Sequence, residues 1–120
     1  MKIRLISTAA SVVALLGVLA SPVALSAAHG DMLAQGKKIA FDKKLGNCLS
    51  CHAIQGGQAA GNLGPPLIAM KARFPDKATL RAQIYDATAR NPSTAMPPFG
   101  KHDILTDKQI DLVTEFVHSL

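Results

Sequence analysis

Tryptophan is absent from this 120-residue chain, tyrosine occurs once, phenylalanine four times and cysteine only twice. So thin an aromatic supply leaves little to fill a core, and a chain this small is marginal without help. Two cysteines and four scattered histidines exclude the paired ligand halves of a zinc finger. Acid is also short, with 8 Asp+Glu against 13 Lys+Arg. The excess does not point to nucleic acid, because no basic stripe is interleaved with aromatics. No segment alternates as a strand would, and no Ser-His-Asp or paired-carboxylate arrangement offers hydrolytic chemistry.

What is present is concentrated in Cys48-Leu49-Ser50-Cys51-His52. Two thiols three positions apart, with an imidazole directly after the second, match the attachment signature of c-type haem. One helical turn sets both sulfurs along one porphyrin edge, each to add across a vinyl group, and the next residue aims its imidazole at the iron. A thioredoxin-like pair would need a βαβ context that is missing, and a plain disulfide gives His52 no role. Ordinary residue usage would produce the pentapeptide by accident on the order of once in a thousand chains of this length. A covalently held porphyrin would also supply the large apolar body that the aromatics do not.

Residues 1–28 read as a secretory signal, and the rest as one small domain. Lys2 and Arg4 precede an apolar stretch through Val12 to Ala20, then a helix-breaking Pro22 and small residues at Ser26-Ala27-Ala28. The alternative is a retained membrane anchor, for which the apolar run is short. Cleavage near Ala28 would place residues 29–120 in the periplasm with a formal charge of +3, eleven cations against eight acids. Lys37, Lys38, Lys43 and Lys44 cluster before the haem motif. They read either as a solvated face or as a rim that steers an acidic partner.

Three helices are expected. The first runs from Met32 to Phe41, capped by Asp31, with Leu33, Gly36 and Ala40 on one face; Gly36 marks a close approach of another helix. The second starts near Pro75-Asp76, carries Leu80, Ile84 and Ala87, and stops at Asn91-Pro92. Thr106-Asp107-Lys108-Gln109 is a capping box opening the third, with Ile110, Val113 and Val117 in a stripe beside Phe116 and Leu120. First and last helices are expected to pack together. Two Gly/Pro-rich loops, Gln55–Pro66 and Asn91–Gly100, would wrap the two porphyrin faces.

His52 supplies one side of the iron, and the other needs a His, a Met or nothing. Met96 lies in Ala95-Met96-Pro97-Pro98-Phe99-Gly100, where two prolines brace the chain and Gly100 permits a tight turn, so a soft thioether can be held in place. Met70 is the alternative ligand or a core residue on a short helix, and Met32 packs in the first helix. His29, His102 and His118 read as surface residues, His118 suiting a helix C-terminus. Pro65 or Pro66 either orients His52 through its carbonyl or stiffens a loop. Arg73, Arg90 and Tyr85 are propionate contacts or solvent-exposed.

These motifs, together with Gly64-Pro65-Pro66-Leu67 and the closing Ile104-Leu105-Thr106 helix, resemble the class I cytochromes c. Within them the chain is similar to the SoxX family, monohaem subunits of the SoxAX sulfur-oxidation cytochromes. The resemblance implies an all-α class I cytochrome c fold over residues 29–120, with N- and C-terminal helices packed together around one covalently attached haem c. It implies Cys48, Cys51, His52 and Met96 as the haem-binding residues, with His52 and Met96 on the iron. It further implies a heterodimer with a SoxA-like dihaem or monohaem cytochrome subunit, a SoxYZ-like carrier protein met through that complex, and a downstream electron acceptor. The complex would be an L-cysteine S-thiosulfotransferase in which this subunit accepts electrons while the catalytic thiolate sits on the partner. A free-standing monohaem electron shuttle is the alternative.

Overall fold

The computed structural model describes residues 22 to 120. Lys2, Arg4 and the apolar stretch Val12 to Ala20 lie outside the described residues. Four α-helices follow in order: α1 (Pro22–Phe41), α2 (Met70–Arg73), α3 (Lys77–Tyr85) and α4 (Asp107–His118). Short 3-10 turns occupy Cys48–Ser50 and Ala87–Ala89, and among the described residues there is no strand. No helix among them is long and apolar enough to cross a membrane.

The frame is a crossing of α1 and α4, as the two apolar stripes require. Gly36 makes it work. A Cβ there would lie 2.0 Å from the Leu112 carbonyl oxygen and 2.8 Å from Phe116 Cβ, so only glycine lets the backbones come this close. Ala40 is fully buried beside it, and Phe41 meets Phe116 edge-to-face with centroids 5.9 Å apart. On α4, Ile110, Val113, Phe116 and Val117 are buried, each stabilising the fold by about 1.5–3 kcal/mol relative to exposure. The expected capping box is present: Thr106 Oγ1 accepts from the Gln109 amide, and Gln109 Oε1 accepts from the Thr106 amide.

Two expected boundaries are corrected. Asp31 does not cap α1; the helix is already formed upstream, and the Asp31 carboxylate accepts from Gln35 Nε2 one turn later. Pro22, expected to break a helix, stands instead in the first turn, where its missing N–H costs nothing, and alanines carry the helix on. Residues 26–28, the expected cleavage region, are therefore helical and exposed. Met32 is also 38% exposed rather than packed.

The second helix ends at Tyr85, not at Asn91. Asp86 turns out of helical geometry (φ −147°, ψ 88°), and its carboxylate accepts from the Thr88 amide to start the separate turn Ala87–Ala89. A short carboxylate competing with the backbone is the cause. Leu80, Ile84 and Ala87 are nonetheless all buried, so the apolar face survives the break. Asp76 caps α3 by accepting from the Ala78 amide and the Thr79 hydroxyl. Lys77–Glu115 (2.7 Å), Arg81–Asp107 (2.9 Å) and Arg81–Asp111 (2.6 Å) bridge α3 to α4; exposed pairs like these add at most about 1 kcal/mol each.

Candidate functional site

A cleft of about 750 Å³ is lined by the Cys48–His52 turn and by the Met96 loop. Cys48, Cys51, His52 and Met96 all line it, and so does Met70. Its apolar wall comes from Leu67, Leu80, Ile84, Phe99, Val113 and Val117, which are also the core. The volume is in the range of sites that enclose a cofactor. His29, His102 and His118 are not among the lining residues; His118 Nε2 lies 3.1 Å from the Phe74 carbonyl oxygen instead.

The thiol turn is built locally. Asn47 adopts the left-handed conformation (φ 47°, ψ 35°), which asparagine tolerates better than most residues, and reverses the chain into the 3-10 turn. The amides of Cys51 and His52 both donate to the Cys48 carbonyl, at 3.2 and 2.9 Å. The two sulfurs are not bonded to each other. Burial pushes the Cys48 thiol up to about 11, so at neutral pH it is protonated and a poor nucleophile. That is unlike a thiol poised for disulfide exchange.

The glycine-rich loop then folds back over this turn. Gly61 N donates to Leu49 O at 2.8 Å and Gly64 N to Cys51 O at 2.8 Å. A Cβ on Gly64 would sit 2.4 Å from His52 Cε1, so glycine here makes room for the imidazole. Of the two prolines, Pro65 orients the ring: its carbonyl oxygen lies 2.6 Å from His52 Nδ1. A carbonyl only accepts, so Nδ1 carries the proton and Nε2 is left with its lone pair for a metal. The Pro66 carbonyl accepts from Arg73 Nη1 at 2.8 Å, and the same nitrogen reaches Met70 Sδ at 3.4 Å. Arg73 thus makes protein contacts as well as lining the cleft.

On the separate loop that also lines the cleft, Met96 is half-buried, and its amide donates to Thr94 Oγ1 at 3.2 Å. Met70 is 2% exposed and sits on α2, its amide donating to the terminal Leu120 carbonyl.

Residues 31–117 match the family model described as cytochrome C oxidase, cbb3-type, subunit III. The chain belongs to this family of c-type cytochromes. An uncharacterized lipoprotein of Aquifex aeolicus (strain VF5) is 32% identical over 76 residues, covering 62% of this chain. The chain spans 37% of that relative's length. Membership makes this a haem c protein that transfers electrons, and it matches the helical fold, which has no strand among the described residues.

The donor chemistry fits a haem. Two thiols stand on one turn, one imidazole has its outer nitrogen satisfied, a thioether on a separate loop lines the same cleft, and apolar walls complete it. Sequence reasoning missed Gly64, whose role depends on a ring twelve residues away. Lys43, Lys44 and Arg73 line the cleft, in keeping with the rim and propionate-contact alternatives, whereas Arg90 and Tyr85 do not; no carboxylate lines it.

Proposed function

We propose that the protein carries a single haem c, which thioethers from Cys48 and Cys51 would hold and whose iron His52 Nε2 and Met96 Sδ would ligate. The observation that carries this reading is that His52 and Met96 line one cleft from separate loops, with His52 Nδ1 already tied to Pro65. The haem supplies a one-electron iron couple. The chain's own residues do the rest. The Pro65 carbonyl fixes the imidazole tautomer and raises its basicity. The thioether of Met96 would favour the reduced iron and so give a higher potential than a second imidazole. Phe99, Leu80 and Val113 line the cleft with apolar surface, which would limit solvent reorganisation as charge changes.

In this reading the protein is the electron-accepting, non-catalytic subunit of an exported thiosulfate-oxidising complex of the SoxAX type. A SoxA-like cytochrome is its partner, a SoxYZ-like carrier is met through the complex, and the N-terminal pattern of residues 1–28 directs export. Support comes from the ordered motifs ending in Met96-Pro97-Pro98-Phe99-Gly100. It comes also from Ile68, an apolar side chain 59% exposed next to the cleft-lining Leu67 and not itself part of the lining, which suits a contact with a partner. The lipoprotein relative is in keeping with a life outside the cytoplasm.

A second reading, a free-standing electron shuttle, is favoured by the charge around the cleft. Glu115, Asp107, Asp111 and Asp86 are spent on ion pairs elsewhere, while Lys43, Lys44 and Arg73 border the opening. Such a rim steers transient acidic partners. Native copurification from the periplasm separates the two. A stable companion haem subunit is expected; elution as a lone monomer overturns the subunit reading in favour of the shuttle.

A further inference from the structure

We propose that Gly100 and Tyr85 act together as positioning residues that hold the Met96 thioether over the cleft. The inference rests on the reading of Met96 as an axial ligand. The Pro97-Pro98 pair stiffens the loop but does not anchor it, because a stiff segment still pivots as a body. The anchor lies just beyond, where the chain is laid against the end of α3. The amides of Gly100 and Lys101 both donate to the Tyr85 carbonyl, at 3.0 and 3.3 Å. Lys101 Nζ pairs with Asp86 Oδ2 at 2.9 Å, tying the next residue of each segment together. Phe99 is buried between them and the core, and its carbonyl accepts from the amides of Ile104 and Leu105.

Gly100 lies in a turn, as expected, its carbonyl accepting from the Asp103 amide at 3.0 Å, but its φ is not in the left-handed region. What it needs is space. A Cβ at Gly100 would lie 2.1 Å from Tyr85 Cδ2, 2.3 Å from Cε2 and 2.7 Å from Cγ. The α3 backbone fixes Tyr85 Cβ and Cγ follows from χ1, so the ring clears a Cβ at Gly100 only by leaving its rotamer well. Any side chain at Gly100 therefore lifts the loop off α3, and Met96, four residues back along a proline-braced segment, moves with it. The Tyr85 hydroxyl has no part in this; the ring face is the contact.

The test is exogenous imidazole binding to the ferric holoprotein. Imidazole competes with the thioether, so its apparent affinity rises with the fraction of molecules whose Met96 is off the iron. Gly100→Ala should bind imidazole at least about tenfold more tightly and lose intensity in the far-red thioether-to-iron band. Tyr85→Phe should match wild type. Tyr85→Ala should bind a few-fold more tightly, because the loop loses its backstop. The double variant Gly100→Ala/Tyr85→Ala should return to within about threefold of Tyr85→Ala, the clash having been removed. Unchanged imidazole affinity in Gly100→Ala overturns the proposal, as does a double variant no better than Gly100→Ala alone. If Gly100→Ala does not fold, an unchanged affinity in Tyr85→Ala overturns it. A purely structural role would lower the unfolding midpoint and leave band and affinity alone. Met96→Ala is run in parallel: if it keeps the band, the ligand assignment itself fails. If it loses the band while Gly100→Ala changes nothing, only the positioning role fails.

Discussion

The two walls of the cleft are built on different principles. The imidazole wall is local: Cys48 to Pro65 lie within eighteen residues, and backbone hydrogen bonds from Gly61 and Gly64 stitch the glycine-rich loop onto the thiol turn. The thioether wall is tertiary. Met96 owes its place to an anchor at Tyr85, ten or more residues earlier in the chain, through Gly100 and Lys101. A wall made of short-range contacts should survive partial loosening of the fold. One that depends on packing against α3 should give way first.

The largest expected effect breaks both walls together. Cys51→Ala should lower haem retention and folding stability in parallel, because the apolar wall of the cleft is also the core. Haem staining after denaturing electrophoresis and a thermal melt by circular dichroism read the two quantities. A variant that lacks haem yet unfolds cooperatively at the wild-type temperature refutes the coupling.

Removing the thioether isolates the second wall. Met96→Ala should abolish the far-red band and lower the reduction potential while leaving the protein haem-loaded. Potentiometry with spectral monitoring checks it, and an unchanged spectrum reassigns the ligand, with Met70 the next candidate.

Gly36→Ala perturbs neither wall directly, only the α1–α4 crossing beneath them. The forced shift against the Leu112 carbonyl should cost about 1–3 kcal/mol in denaturant unfolding, with the far-red band retained. Loss of the band at unchanged stability would show that the crossing and the thioether wall are linked in a way the geometry does not account for.

The smallest effect is a pH dependence. The Thr88 hydrogen bonds first, and the Lys101 ammonium next, hold the Asp86 carboxyl below its usual range. A depressed carboxylate contributes stability that is complete above its ordinary pKa of 3.8 and fades as pH falls through the folded value. Acid titration should therefore weaken the far-red band before the bond between imidazole and iron is lost. Asp86→Asn should move that weakening, and no change in its pH course would count against Asp86 as part of the anchor.

Much of this was legible in the sequence because it depends on near neighbours. The capping box at Thr106 and Gln109 needs three residues of context, and the cap at Asp76 needs two. The Cys48–His52 turn carries its own chemistry. Gly36 was readable as a helix contact because a glycine facing an apolar stripe has few other uses. The break at Asp86 was hidden, since Leu80, Ile84 and Ala87 keep helical spacing across it while a side chain ends the helix. Nothing local distinguishes Pro65 from Pro66 as the partner of His52; that depends on how the loop returns. The turn at Gly100 was legible, but its second role was not, for the same reason: the ring it must avoid lies fifteen residues earlier.

The intact mass of the matured, exported protein tests the central claim most directly. One haem added to the polypeptide mass, lost in Cys48→Ala/Cys51→Ala, is the predicted result. A mass equal to the bare polypeptide, or one carrying any number of haems other than one, would contradict it.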